Sequence, residues 1–279
     1  MKSNTAYCLL KWYDHIGIDE ALADSPVPWY NRVETKPPTR DISAPKAKTP
    51  QVPVSSPQVI RPKDTTQQPL SFVHAPHDEA VMQARTQAQS AQSLDDIATL
   101  LHQFNGCALK ATAKNTCISR GTGNADLMLI GEAPGRDEDL KGVPFVGRAG
   151  QLLDKMLCAI GHDEQSVYIT NIVYWRPPGN RTPSLQESHI CQPFLERQIE
   201  LVAPKVIVFL GGAAAKHMFK TSEGIMRLRG KWKTYSVGDS DYKAIATLHP
   251  AYLLRNPIGK RMAWQDLLNV KIALDGLKP

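Results

Sequence analysis

Apolar and polar positions follow two distinct rhythms in the later part of this chain. Four short runs, at 127–130 (LMLI), 167–170 (VYIT), 206–210 (VIVFL) and 244–248 (AIATL), are nearly continuous in apolar side chains and too brief for helices; they read as buried strands. Around them, apolar residues recur every three or four positions, which predicts helices at about 80–103, 149–160, 184–202, 212–219 and 261–277. In the first of these, Ser93 is placed to cap a stripe of Leu94, Ile97, Leu100 and Leu101. Pro183 is expected in the first turn of its helix behind a Thr182 cap, and Pro193 is expected to kink or break that helix. Strands alternating with helices predict an α/β fold: a three-layer α/β/α sandwich around a four-stranded, mostly parallel sheet.

The earlier part has a different texture. Residues 1–32 contain a short helix-like stretch at 5–24, with Leu9, Leu10, Trp12, Tyr13, Ile16, Ile18 and Leu22, too small to build its own core. It reads either as a helix that docks on the main domain or as a peptide that binds a protein partner. Residues 33–80 hold Pro, Thr, Gln, Ser and Lys with few large apolar side chains, too little to offset chain entropy, so a disordered Pro-rich tether is expected there. The domain is expected to occupy residues 81–279.

Composition sharpens this division. The net charge is +6, and the excess lies in residues 96–279, where 23 Lys and Arg face 17 Asp and Glu. A basic domain behind a neutral leader suits a polyanionic partner. The chain has no run of 18 apolar residues and a mean hydropathy of −0.31, so no membrane span is expected. The first residues lack the apolar core and cleavage site of a secretory signal. Cysteines at 8, 107, 117, 158 and 191 form an odd set without paired spacing, which suits a reducing cytoplasm.

Chemistry-bearing residues follow the strands. After the first come Gly131, Glu132, Ala133, Pro134 and Gly135; after the second, Asn171; after the third, Gly211 and Gly212; after the fourth, His249 and Pro250. In a parallel sheet all of these lie at the carboxyl edge, where such folds bind ligands. Taken singly, Asn171 fits a turn, His249 a surface loop, Gly131 and Gly135 ordinary turns, and Phe145 a core position. Taken together they set a ring, an amide, an imidazole and a carboxylate around one strand edge.

Three blocks, GEAPGRDEDLKGVPFVGRAGQLLDKML, YITN with RPPGNRTP, and LHPAYLLRNP, resemble in order and spacing the signature blocks of family 4 uracil-DNA glycosylases. The resemblance spans about residue 93 to the end. It implies hydrolysis of the N-glycosidic bond of deoxyuridine in DNA, with the target nucleotide flipped out of the stack. By that resemblance Phe145 stacks on the extruded uracil, Asn171 hydrogen-bonds its O4 and N3–H, and His249 donates to its O2 as charge develops. Glu132, with the backbone of Gly131 and Ala133, orients the attacking water. Related families carry an aspartate at the position of Ala133, so here Glu132 is the candidate base. The stretch Ala251, Tyr252, Leu253, Leu254 and Arg255 resembles the family's wedge, which fills the gap left by the flipped nucleotide; its other reading is a loop packed on the last helix. Arg148, Arg176, Arg181, Lys260 and Arg261 are candidate phosphate contacts.

The family's [4Fe–4S] cluster uses four cysteines. Only Cys107 and Cys191 match those positions; Phe104 and Trp175 stand at the other two. Two thiolates cannot hold a cluster, so none is expected, with Phe104 and Trp175 filling the space. The reading is a monomeric, cytoplasmic base-excision-repair enzyme acting on uracil-containing DNA. The alternative is a catalytically weak DNA-binding or uracil-sensing module whose leader recruits a repair or replication partner.

Overall fold

The computed structural model describes residues 77–277, so the expectations for residues 1–32 and for nearly all of the tether lie outside the described residues. Two helices open this region, α1 (His77–Ser90) and α2 (Leu94–Gln103), where the sequence predicts one. The break is local chemistry. Ser93 accepts from Asp96 N–H while the Asp96 carboxylate accepts from Ser93 N–H, a reciprocal cap that starts a new helix. Arg197 then donates to the Ala91 carbonyl from Nε at 3.0 Å and Nη2 at 2.8 Å, holding the corner. Ala80, Ala84 and Ala88, four residues apart and buried, let α1 lie close on the long helix α5.

The chain continues through β1 (Ser119–Gly121), β2 (Leu127–Gly131), α3 (Arg136–Lys141), α4 (Arg148–Ala159), β3 (Val167–Asn171) and α5 (Leu185–Val202). After these come β4 (Val206–Leu210), α6 (Gly212–Met218), α7 (Ile225–Leu228), β5 (Trp232–Val237), β6 (Ser240–Thr247), α8 (Pro250–Arg255) and α9 (Lys260–Asp275). The sheet has six strands among the described residues, in the order β1-β3-β2-β4-β6-β5. Its four central strands are the expected ones and are parallel; β1 and β5 are antiparallel edges that correct the four-strand expectation.

Side chains alternate across the sheet, as a pleat requires. Met128, Ile130, Ile207, Phe209, Ala244 and Ala246 face a core shared with α1, α2, α5 and α6. Leu127, Leu129, Val206, Val208 and Ile245 face the opposite core, closed by α4 and α9. The three-layer α/β/α architecture is therefore present.

Helix α5 departs from expectation at two points. Its cap is Ser184, in a reciprocal pair with Glu187, so Pro183 precedes the cap and Thr182 does not serve as one. It also runs unbroken through Pro193. Ile190, Phe194, Leu195 and Ile199 on its buried face hold the helix against the sheet, and this packing outweighs one missing backbone donor. No helix among the described residues is long and apolar enough to cross a membrane.

Candidate active site

Parallel pairing places the candidate residues side by side. Gly131 is in register with Asn171, and the pairing continues past the strands through Ile172 N–H donating to the Gly131 carbonyl at 3.0 Å. On the other side Leu210 is in register with Thr247, and Gly211 N–H donates to the Thr247 carbonyl at 2.9 Å. The ends of β2, β3, β4 and β6 thus form one edge where the helical connections diverge to opposite faces, the ligand position of such sheets.

Phe145 reaches this edge from the loop between α3 and α4. Its backbone is left-handed, with φ of 55°, a conformation that costs energy outside glycine and must be held by its surroundings. Two contacts hold it. Glu138 Oε1 accepts from Gly147 N–H at 2.9 Å, and Gly150 lies so close that a Cβ there would stand 1.7 Å from the Phe145 carbonyl oxygen. The ring then lies over Gly131, where a Cβ would fall 2.5 Å from Phe145 Cζ and 2.4 Å from Asn171 Oδ1. Gly131 is required by close approach, because a side chain would occupy the space between ring and amide.

Asn171 is buried, and its Oδ1 has no hydrogen-bond partner among the described residues. A buried amide oxygen left unpaired is costly, which marks a position shaped for a donor brought by a ligand.

His249 completes the cluster, with its ring 5.7 Å from that of Phe145, centroid to centroid, and tilted by 30°. It is the cap of α8, and its Nδ1 accepts from Ala251 N–H at 3.1 Å. An accepting Nδ1 has no proton, so the neutral ring carries its proton on Nε2 and presents it as a donor. Burial, helped by the nearby charge of Arg255, lowers the imidazole to about 4. Gly211, at φ of 93°, packs directly behind it: a Cβ there would be 2.9 Å from His249 Cβ.

Glu132 points elsewhere along the edge. It lines a cavity of about 300 Å3 with Ile172, Thr182, Ser188, Lys216 and His217, whose walls do not include Phe145, Asn171 or His249. Burial raises its carboxyl above the usual range, opposed by a hydrogen bond with Thr182.

The wedge stretch is helical, as α8, and its side chains divide. Leu253 is buried with Leu248 and Ala263, whereas Tyr252, Leu254 and Arg255 are exposed. Leu253 thus packs on the last helix, as one reading of the segment expects, and Tyr252, Leu254 and Arg255 are left at the surface. Among the candidate phosphate contacts, Arg181 is engaged by both oxygens of Glu187, at 2.8 and 2.6 Å, and Arg176 Nε donates to Asn180 Oδ1. Arg148, Lys260 and Arg261 are exposed.

Several supporting residues escaped the sequence reading. Asp266 on α9 accepts from Thr247 Oγ1 at 2.7 Å and from Arg229 Nη2 at 2.6 Å, bolting α9 to the end of β6 two residues before His249. Its signal was available: a carboxylate on the same helix face as Ala263, Leu267 and Val270. Glu138 acts through a side-chain bond to the Gly147 N–H and Gly150 through close backbone approach, neither of which composition reveals.

Comparison with known proteins agrees with this geometry. Residues 118–268 match the model of the uracil DNA glycosylase superfamily. The type-4 uracil-DNA glycosylase of Archaeoglobus fulgidus is 43% identical over 170 residues, covering 60% of this chain and 85% of that protein. That of Thermotoga maritima is 36% identical over 181 residues, covering 64% and 93%.

The chain belongs to the type-4 uracil-DNA glycosylase family.

The family's iron–sulfur site fits the residues present poorly. Cys107 and Cys191 are buried and hydrogen-bond to each other, and burial pushes the Cys191 thiol well up. Phe104 and Trp175, which the resemblance sets at the other two positions, have their rings 6.4 Å apart, and Phe104 is edge-on to Phe194 at 5.2 Å. Trp175 Nε1 donates to Thr116 Oγ1 at 3.1 Å, so its polar end is satisfied. Cys117, raised to about 12 by burial, donates to the Glu138 carbonyl. No group of three or more His, Cys, Asp or Glu among the described residues is placed to hold a metal ion.

Proposed function

We infer that this protein is a uracil-DNA glycosylase that hydrolyses the N-glycosidic bond of deoxyuridine in DNA and leaves an abasic site for base excision repair. The observation that carries the reading is the state of His249: its Nδ1 is taken by Ala251 N–H, leaving Nε2–H as a fixed, neutral donor beside the Phe145 ring. Family membership and the names of the relatives support it.

In this mechanism the extruded uracil stacks on Phe145, worth about 1–3 kcal/mol by analogy with other base–aromatic contacts. Asn171 Oδ1 accepts from uracil N3–H and its amide nitrogen donates to O4. Cytosine offers no N3–H and presents a donor in place of O4, so it leaves buried groups unpaired. As the C1′–N1 bond breaks, its electron pair passes to the uracil ring, and His249 Nε2–H stabilises the charge at O2. Water, oriented by the backbone of Gly131 and Ala133, forms the new bond to C1′ and gives its proton to Glu132, whose carboxylate has to turn from the neighbouring cavity toward C1′ for this step. Burial makes Glu132 a stronger base than a free carboxylate, provided it is ionised. Tyr252, Leu254 and Arg255 occupy the gap and the adjoining phosphate, with Leu253 anchoring them from beneath.

The same reading has a monomer in the cytoplasm that works without a cluster, Phe104 and Trp175 packing in its place. Residues 1–32 are read either as a helix that docks on the domain or as the contact to a protein partner. The test of the activity is incubation with oligonucleotides bearing a single uracil, thymine or cytosine, followed by alkali. Strand breaks at uracil alone are expected; binding without breaks would leave a DNA-binding module instead.

A further inference from the structure

We propose that Ile258 is a second apolar contact to duplex DNA, set beside the wedge and acting on the base pair next to the flipped nucleotide. This rests on the glycosylase reading above. Ile258 is 90% exposed, further than any other large apolar side chain among the described residues. Isolated exposed apolar residues are common on proteins and mean little alone. Here the setting adds two observations.

The first is rigidity. Ile258 sits in the turn Pro257–Gly259, which joins α8 to α9. Gly259 is buried: a Cβ there would stand 3.1 Å from Leu253 Cδ2, 3.2 Å from Leu248 Cδ1 and 3.4 Å from Tyr252 Cε1. Its N–H donates to the Asn256 carbonyl at 3.0 Å, and Pro257 restricts the backbone before it. The turn is thus seated on the underside of the wedge helix, and Ile258 is presented outward from a fixed frame. A side chain held this way contributes contact area with little ordering cost on binding.

The second is charge. Between Arg255 and Gln265 the chain carries Lys260 and Arg261 and no acidic residue, and all three cations are exposed. An apolar tip flanked along the chain by three exposed cations, on a turn packed against Tyr252, matches a nucleic-acid duplex. Cations meet phosphates while the apolar group presses on base or sugar surface in the opened step. A single strand has no neighbouring base pair to offer, so the contact is specific to duplex.

The test compares wild type, Ile258→Ser and Ile258→Leu, whose folding is checked by thermal melting. The probe is an oligonucleotide with one uracil flanked by 2-aminopurine, used single-stranded and as a duplex. Ile258→Ser is expected to weaken duplex binding about tenfold, the scale of losing one well-placed apolar contact, and to reduce the 2-aminopurine fluorescence rise at saturation. Single-strand affinity should stay within about twofold, and Ile258→Leu should behave as wild type. Equal weakening on both substrates, or no change on either, overturns the proposal. Should the wild type release no uracil, the glycosylase reading fails while the duplex-to-single-strand comparison still decides the role of Ile258.

Discussion

The acceptor role of His249 Nδ1 and the burial of its ring lead to the same protonation state by independent routes. Burial disfavours the charged form, so the imidazole is neutral above about 4, and protonation below that value would also break the bond from Ala251 N–H. The 15N shifts of His249 should therefore stay constant from about pH 5 to 8, the range in which an ordinary histidine titrates. A midpoint near 6.5 would contradict the neutral donor. Glu132 moves in the other direction: with its carboxyl raised, activity should fall on acidification at a pH above the ordinary carboxylate range, and Glu132→Gln should be slow at every pH. At Gly131 the prediction is steric. A methyl group would collide with both Phe145 Cζ and Asn171 Oδ1, so Gly131→Ala should lower uracil release by about 100-fold or more, since small misplacements of positioned groups are costly. Phe145, Asn171 and His249 were legible because their types and positions after strands announce a polar edge. That His249 is a neutral donor was not, because it depends on a backbone N–H two residues on.

Elements obeyed local rules where those rules had no competitor. The four central strands are bare apolar runs, and their pairing into a parallel sheet follows from the helices between them. The hairpin of β5 and β6 was missed although YSVGDSDY carries an alternating pattern around Gly238, which takes a left-handed φ of 54° at the turn. Pro193 misled for the opposite reason: a propensity rule was overridden by the buried face of α5. The bolt between α9 and β6 is the element on which the position of His249 depends. Removing one partner strands the other in a buried place, so Asp266→Ala should destabilise the domain by about 3–5 kcal/mol in urea denaturation. A loss below about 1 kcal/mol would mean that Arg229 and Thr247 find other partners, and that α9 is held by Leu267 and Val270 alone.

On the scale of the molecule, the basic part of the sequence coincides with a type-4 uracil-DNA glycosylase domain. Cysteine usage carried more than a hint of compartment. It separates this chain from the four-thiolate pattern that the resemblance implies, with Trp175 and Phe104, the latter edge-on to Phe194, at the two remaining positions by that resemblance. Purified protein is expected to contain neither iron nor acid-labile sulfide; a stoichiometric cluster would overturn that part of the account. The central claim is that Phe145, Asn171 and His249 form a site that releases uracil. Single-turnover release of uracil from labelled duplex DNA tests it most directly. Release by the wild type is expected, with His249→Ala slower by about 100- to 1,000-fold, the scale of losing one preorganised donor, and Asn171→Ala comparably impaired. DNA binding in both variants should stay within a few-fold of wild type. Undiminished release by either variant would contradict the assignment of the site.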